Sequence, residues 1–168
     1  SDGYGSYIEF GEIDIDFNNK KGKTSNYVRY LDLDQAISYV QYDYNDATIT
    51  REYFVSYPDN VLVMHFNTTK GNLPKLAFAF STKADSTKTI TVSDGLLNFR
   101  GRINDSQMIF NFKLMVSSLT GTVGSEGEKV TVTDSSEVFV YVSAATDYKD
   151  VYPNYRTGES EDSVDGRV

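Results

Sequence analysis

Asp32 and Asp34, in the stretch NYVRYLDLDQA, stand two positions apart on what reads as a β-strand. Residues i and i+2 of a strand share a face, roughly 7 Å apart at a rise of about 3.3 Å per residue. Paired carboxylates work on sugars at about 5–5.5 Å in retaining enzymes and about 6.5–9.5 Å in inverting ones. The competing reading is the charged rim of a strand. Acid–base work needs burial or a close like charge to pull two carboxyl pKa values apart. Spacing supplies neither, so the residues alone favour the rim.

Other chemistry-bearing residues meet similar objections. The single histidine, His65, lies in VLVMHFN between apolar residues and shares parity with Val61 and Val63. A lone histidine makes no metal cluster and has no evident nucleophile to activate, so packing or hydrogen bonding is expected. Asp14, Asp16 and Asn18 have the D-x-D-x-N spacing of a calcium loop. Such a loop needs glycine sixth and glutamate twelfth, where Asn19 and Ser25 stand. Tyr39, Tyr42, Tyr44, Tyr53 and Tyr57 offer a platform for sugar rings, but tyrosine also simply favours strands. The lack of tryptophan weakens the platform. Asn67 and Asn104 head glycosylation triplets of a kind that short polar stretches match by chance. No catalytic, cofactor-binding or metal-binding residue is assigned, and no cofactor is expected.

These residues sit in a chain of 168, long enough for one domain with a sizeable core. Its 13 Tyr and 10 Phe argue against disorder. The net charge of -8 disfavours nucleic acid, whose phosphates need the opposite sign. No apolar run is long enough to span a membrane. SDGYGSY lacks the features of a signal peptide and is consistent with a piece excised from a longer chain. Zero cysteines fit either the cytoplasm or bacterial export, so the compartment stays open.

The positioning elements read as strands almost throughout. YIEFGEIDIDF switches parity at Gly11-Glu12, which predicts a bulge. YVRYLDL, AISYVQYDY, TITREYFVSY, VLVMHF, LAFAFS, TITV, LLNFRG, MIFNFKLMV, KVTVT and EVFVYVSA follow, joined by short polar links such as NDA, KGN, SDG, INDS and GSEGE. No helical period runs for ten residues. The expectation is an all-β sandwich of largely antiparallel sheets over residues 1–146. Residues 147–168 read as an irregular tail or a linker. Alternation predicts Ile13, Ile15, Phe17, Leu31, Leu33, Phe54, Val63, Phe78, Phe110, Phe112, Leu114, Val138, Val140 and Val142 to face inward.

GYGSYIEFGEIDIDF, YVRYLDLDQAISYVQY, ITREYFVSYPDNVLVMHF and VFVYVSAATDYKDVYPNY, in this order, resemble the amino-terminal domain of glycoside hydrolase family 95, the α-L-fucosidase family. The likeness runs from about Gly3 to about Gly158. It implies a galactose-mutarotase-like β-supersandwich, followed in the family by a helical linker, an (α/α)6 barrel and a carboxy-terminal β-domain. The family's inverting acid and base lie in that barrel, which is absent here, so no catalytic residue carries over. The family's opening strands and their GNGRLGA-like segment are also missing, so the chain corresponds to the later portion of the sandwich.

The resemblance therefore implies a non-catalytic domain, inactive alone, of a parent that is an enzyme acting on fucosylated oligosaccharides. Its partner would be the helical catalytic domain of the same parent chain. Asp32 and Asp34 become structural, or at most interdomain contacts. The alternative is a stand-alone carbohydrate-binding or adhesion β-sandwich, motivated by the tyrosine-rich strands.

Overall fold

The computed structural model describes residues 8–18 and 22–168. Its strands are β1 (Glu12–Phe17), β2 (Thr24–Asp32), β3 (Ile37–Tyr44), β4 (Ala47–Ser56), β5 (Val61–Thr68), β6 (Leu76–Ser81), β7 (Ser86–Ser93), β8 (Leu96–Ile103), β9 (Ile109–Ser118), β10 (Thr122–Glu126), β11 (Lys129–Thr133) and β12 (Glu137–Thr146). One short helix, α1 (Glu161–Asp165), follows. The strands form a four-stranded sheet, β1-β6-β11-β10, and an eight-stranded sheet, β2-β3-β4-β5-β12-β9-β8-β7. Every ladder among the described residues is antiparallel. The expected all-β sandwich is the fold. No helix among the described residues is long and apolar enough to cross a membrane.

Turn chemistry explains why the neighbours in sequence pair so directly. Asn45 takes a φ of 58° between β3 and β4, and Asp94-Gly95 takes 49° and 80° between β7 and β8. Asp94-Gly95 thus has positive φ at both central residues, the geometry of the tightest hairpin turn, whose twist matches the strands it joins. β12 behaves differently. The last strand of the chain is inserted between β5 and β9, at the centre of the large sheet.

The core lies where the two sheets overlap. Phe78, Phe80, Leu76, Val130 and Val132 of the small sheet meet Phe66, Leu97, Phe99, Phe112, Leu114, Val138 and Val140 of the large one. The Phe80 ring stacks on Phe112 at 4.1 Å and meets Phe99 edge-on at 4.8 Å. Close approach explains one glycine here. A Cβ at Gly101 would fall 2.6 Å from the Phe110 ring and 2.7 Å from that of Phe99.

The inward positions hold for Phe78, Phe110, Phe112, Leu114, Val138, Val140 and Val142, all buried, and Ile13, Ile15 and Phe17 pack against the core. Four others are corrected. Val63 and Phe54 face each other on the outer side of the large sheet, because the buried parity of β5 is that of Met64 and Phe66. Leu33 lies in the turn after β2 and is 83% exposed. Leu31 shares the parity of Tyr53 yet is 59% exposed, because four strands cannot cover eight and β2 is the uncovered edge. The bulge is also relocated. β1 pairs evenly with β6 from Glu12 onward, and the register slip lies in β2, between Ser25 and Val28. β10, built partly from the link GSEGE, is an additional strand whose turn to β11 uses Gly127 at φ 60°.

The tail beyond Thr146 carries no strand, but it folds back onto the sandwich. Asp147, fully buried, accepts the Ile109 N–H at 2.9 Å and the Arg156 Nε–H at 2.7 Å. The Thr157 N–H then donates to the Asp147 carbonyl at 2.7 Å. Ser160 caps α1 by accepting from the Ser163 N–H, and Val164 is fully buried.

Candidate functional site

The chemistry-bearing side chains gather on the outer face of the large sheet. Register aligns Tyr30, Tyr39, Glu52, His65, Phe139 and Ser117 across six strands from β2 to β9. A neighbouring row places Phe54, Val63, Tyr141 and Met115 side by side. Alternation turns these residues outward because their neighbours Met64, Phe66, Val138 and Val140 fill the core.

His65 is the hub of this face. Its Nδ1 lies 2.7 Å from Glu52 Oε2 and its Nε2 lies 2.8 Å from Glu137 Oε1. Its ring stacks on Phe139 at 4.3 Å and 6°. The imidazole thus ties β4, β5 and β12 together, with both nitrogens and one ring face occupied. A ring held this way presents neither a lone pair nor a proton to a substrate. The hydrogen-bonding role expected of it is the one it has.

The tyrosines divide between faces. Tyr39 stacks on Tyr30 at 4.8 Å on the outer side, while Tyr42 is buried, Tyr44 and Tyr53 pack against the core, and Tyr57 is 94% exposed in a turn. They make no single platform. Partial burial, followed by the Glu52 carboxylate, holds the Tyr39 phenol above its ordinary pKa.

Asp32 closes a turn. Its Oδ1 accepts the backbone N–H groups of Asp34 and Gln35, each at 3.0 Å, while Asp34 is exposed. Asp14 and Asp16 point away from the core between Ile13, Ile15 and Phe17, and Asp14 is within 3.5 Å of Ser81 Oγ. Ser25 lies in β2, and Asn19 falls outside the described residues. Among the described residues no group of three or more His, Cys, Asp or Glu side chains could hold a metal ion. Asn67 lies on β5, and Asn104 is engaged with Asp85 at 2.7 Å and Thr87 at 3.2 Å.

Two clusters have no counterpart in the sequence reading. Glu52 and Glu137 are 85 positions apart, so only the insertion of β12 beside β5 brings them to His65. Near the other end of the face α1 is clamped by charge. Arg100 donates to Asp162 at 3.0 Å and to Asp165 at 2.8 Å, and Lys113 Nζ donates to the Asp165 carbonyl at 2.9 Å. The Arg100 hydrogen bond first, and Lys113 after it, hold the Asp165 carboxyl below its usual range against the opposing effect of burial.

The face stitched by such pairs also carries the exposed side chains of Tyr30, Met115 and Tyr141. Comparison with known proteins agrees with a role inside a larger protein. An Aspergillus niger protein named "Probable alpha-fucosidase A" is 28% identical over 152 residues, covering 87% of this chain and 19% of its own length. The chain therefore spans about a fifth of that relative. A solved structure provisionally named as a kojibiose phosphorylase, from the human microbiome, superposes with a TM-score of 0.60. At 10% identity over 95% of this chain and 24% of the other, the likeness concerns the fold alone. The family model described as the glycosyl hydrolase family 65 N-terminal domain matches residues 1–151, and the chain belongs to that family of glycoside hydrolase N-terminal domains.

Proposed function

We propose that this chain is the non-catalytic amino-terminal sandwich of an inverting α-L-fucosidase of the glycoside hydrolase family 95 type. The carrying observation is the likeness to the Aspergillus niger protein over 152 residues. The ordered segments from Gly3 to Gly158 point the same way. The parent removes terminal α-L-fucose, or the similar α-L-galactose, from oligosaccharides. A general acid protonates the leaving oxygen while a base activates water on the opposite face of the sugar. Both act from a helical barrel in the same polypeptide, and residues 1–146 support that barrel while 147–168 lead towards it. The commitments of Asp32 to its turn and of His65 to two carboxylates support leaving the chemistry to the barrel.

The test is hydrolysis of an aryl α-L-fucoside, with the anomer of the released sugar followed by NMR. The full-length parent should release β-L-fucose first, and the 168-residue chain alone should give no turnover. A parent that leaves the fucoside intact, or whose sequence contains no helical barrel, overturns the proposal. The exposed Tyr30, Phe54, Met115 and Tyr141 favour a second reading, a carbohydrate-binding or adhesion module. Calorimetric titration of the chain with fucosylated and galactosylated oligosaccharides separates the two, since only the module binds without a barrel.

A further inference from the structure

On the inner side of the large sheet, where β2 bulges, a hollow of about 340 Å³ is lined by Thr24, Ser25, Asn26, Tyr27, Tyr42 and Arg51. The register slip between Ser25 and Val28 creates it, and Asn26 adopts a φ of 52° there. Bulges re-aim side chains in this way. Arg51 reaches the hollow from β4. Its guanidinium carbon lies 3.6 Å from the centre of the Phe17 ring and 5.0 Å from that of Tyr42. Its Nη2 donates to the Tyr42 hydroxyl at 2.9 Å.

The Tyr53 hydroxyl also bears on Arg51, but among the described residues Arg51 meets no counter-charge. Its Nε is buried without a hydrogen-bond partner, and among the described residues no carboxylate forms an ion pair with it. Arg100, Arg102, Arg156 and Arg167 each have a carboxylate partner, and Arg29 is exposed to water. A half-buried cation without a counter-charge is unusual in a chain with 24 acidic residues. Ring faces compensate a guanidinium only in part, whereas a carboxylate matches its fork with two parallel bonds.

The rest of the lining narrows the ligand. Thr24, opposite the core-packed Tyr44, brings a hydroxyl. The Asn26 amide nitrogen is held by Asp43 at 2.6 Å on the outer side of the sheet, whereas Tyr27, 62% exposed, offers a ring on the inner side beside Tyr42. Asp43 is kept ionised by Asn26 first and by Thr48, at 2.9 Å, so its charge is met within the fold. The volume falls at the small end of the range for ligand pockets, about 300–1,000 Å³. We propose that this hollow binds a sugar acid, with Arg51 on the carboxylate, Thr24 on a ring hydroxyl and Tyr27 against a ring face. The site is independent of what the parent hydrolyses.

The test is an amide chemical-shift titration of the 168-residue chain with sodium glucuronate, glucose and sodium acetate. Glucuronate should give saturable shifts at Ser25, Asn26 and Tyr27. Glucose and acetate should each bind at least about tenfold more weakly, since each lacks half of the recognised groups. Arg51→Lys keeps the cation but loses the fork and should weaken glucuronate by about tenfold. It decides the matter even if Arg51→Met fails to fold. Thr24→Val should weaken glucuronate and leave acetate unchanged. Glucose binding as tightly as glucuronate would remove the charge from the account, and acetate doing so would remove the wall. Either result, an unchanged affinity in Arg51→Lys, or the absence of saturable shifts at these residues overturns the proposal.

Discussion

Asp147 holds the Ile109 N–H and the Arg156 guanidinium at once, from a position with no solvent contact. Replacing it with alanine leaves both groups without their acceptor, and breaking a buried pair of this kind typically costs about 3–5 kcal/mol. Urea unfolding of Asp147→Ala should show that loss, and a change below about 0.5 kcal/mol, as for ordinary surface residues, would refute the role. His65 is a milder case, because water can reach Glu52 and Glu137 once the ring is gone. His65→Leu should cost about 1–3 kcal/mol. A double-mutant cycle with Glu137→Gln should show coupling of the two sites across β5 and β12. In the sequence, Asp147 is merely where alternation stops, and His65 is a lone polar residue in an apolar strand. Their partners come from other elements, so type and spacing along the chain carry no trace of them.

The hairpins were the readable elements, because their turn chemistry is local: Asn45-Asp46, Asp94-Gly95 and Pro58-Asp59-Asn60 all fall between paired strands. The face of β5 was not, because Val61, Val63 and His65 alternate as regularly as Leu62, Met64 and Phe66, and only the neighbouring strands select the buried set. Helix α1 escaped for another reason. Its five residues are too short for periodicity, and its place is set by Arg100, Lys113 and the buried Val164. This docking has a pH signature. Arg100 holds the Asp165 carboxyl below its unfolded value, so the contribution is fully present above an unfolded pKa of about 3.9. It is lost as pH falls through the lower, folded value. Acidification into that window should release α1 first, so amide exchange at Val164 should accelerate while β9 and β12 stay protected. In Arg100→Met the acid step should shrink, with Lys113 alone left to hold the carboxylate. Simultaneous loss of protection in α1 and the core would show that the helix is not a separate unit.

Across the whole molecule, the mismatch of four strands against eight decides which leucines matter. Leu31 and Leu114 sit in equally regular alternation, yet one is 59% exposed and the other fully buried. Leu114→Ala should cost about 2–5 kcal/mol. Leu31→Lys should stay within about 0.5 kcal/mol of the parent in the same thermal or urea melts. The all-β class was legible because period two runs through almost every segment, whereas sheet order and coverage depend on pairings that no local pattern records. The position of β12 has a further consequence during synthesis. At about 5–20 residues per second, the ribosome needs several seconds to add the stretch between the end of β5 and Glu137. Until then β5 and β9 each present a bare edge towards the gap that β12 will fill. A nascent chain that stalls short of Glu137 is therefore a template with two open sides, ready to recruit strands from its neighbours.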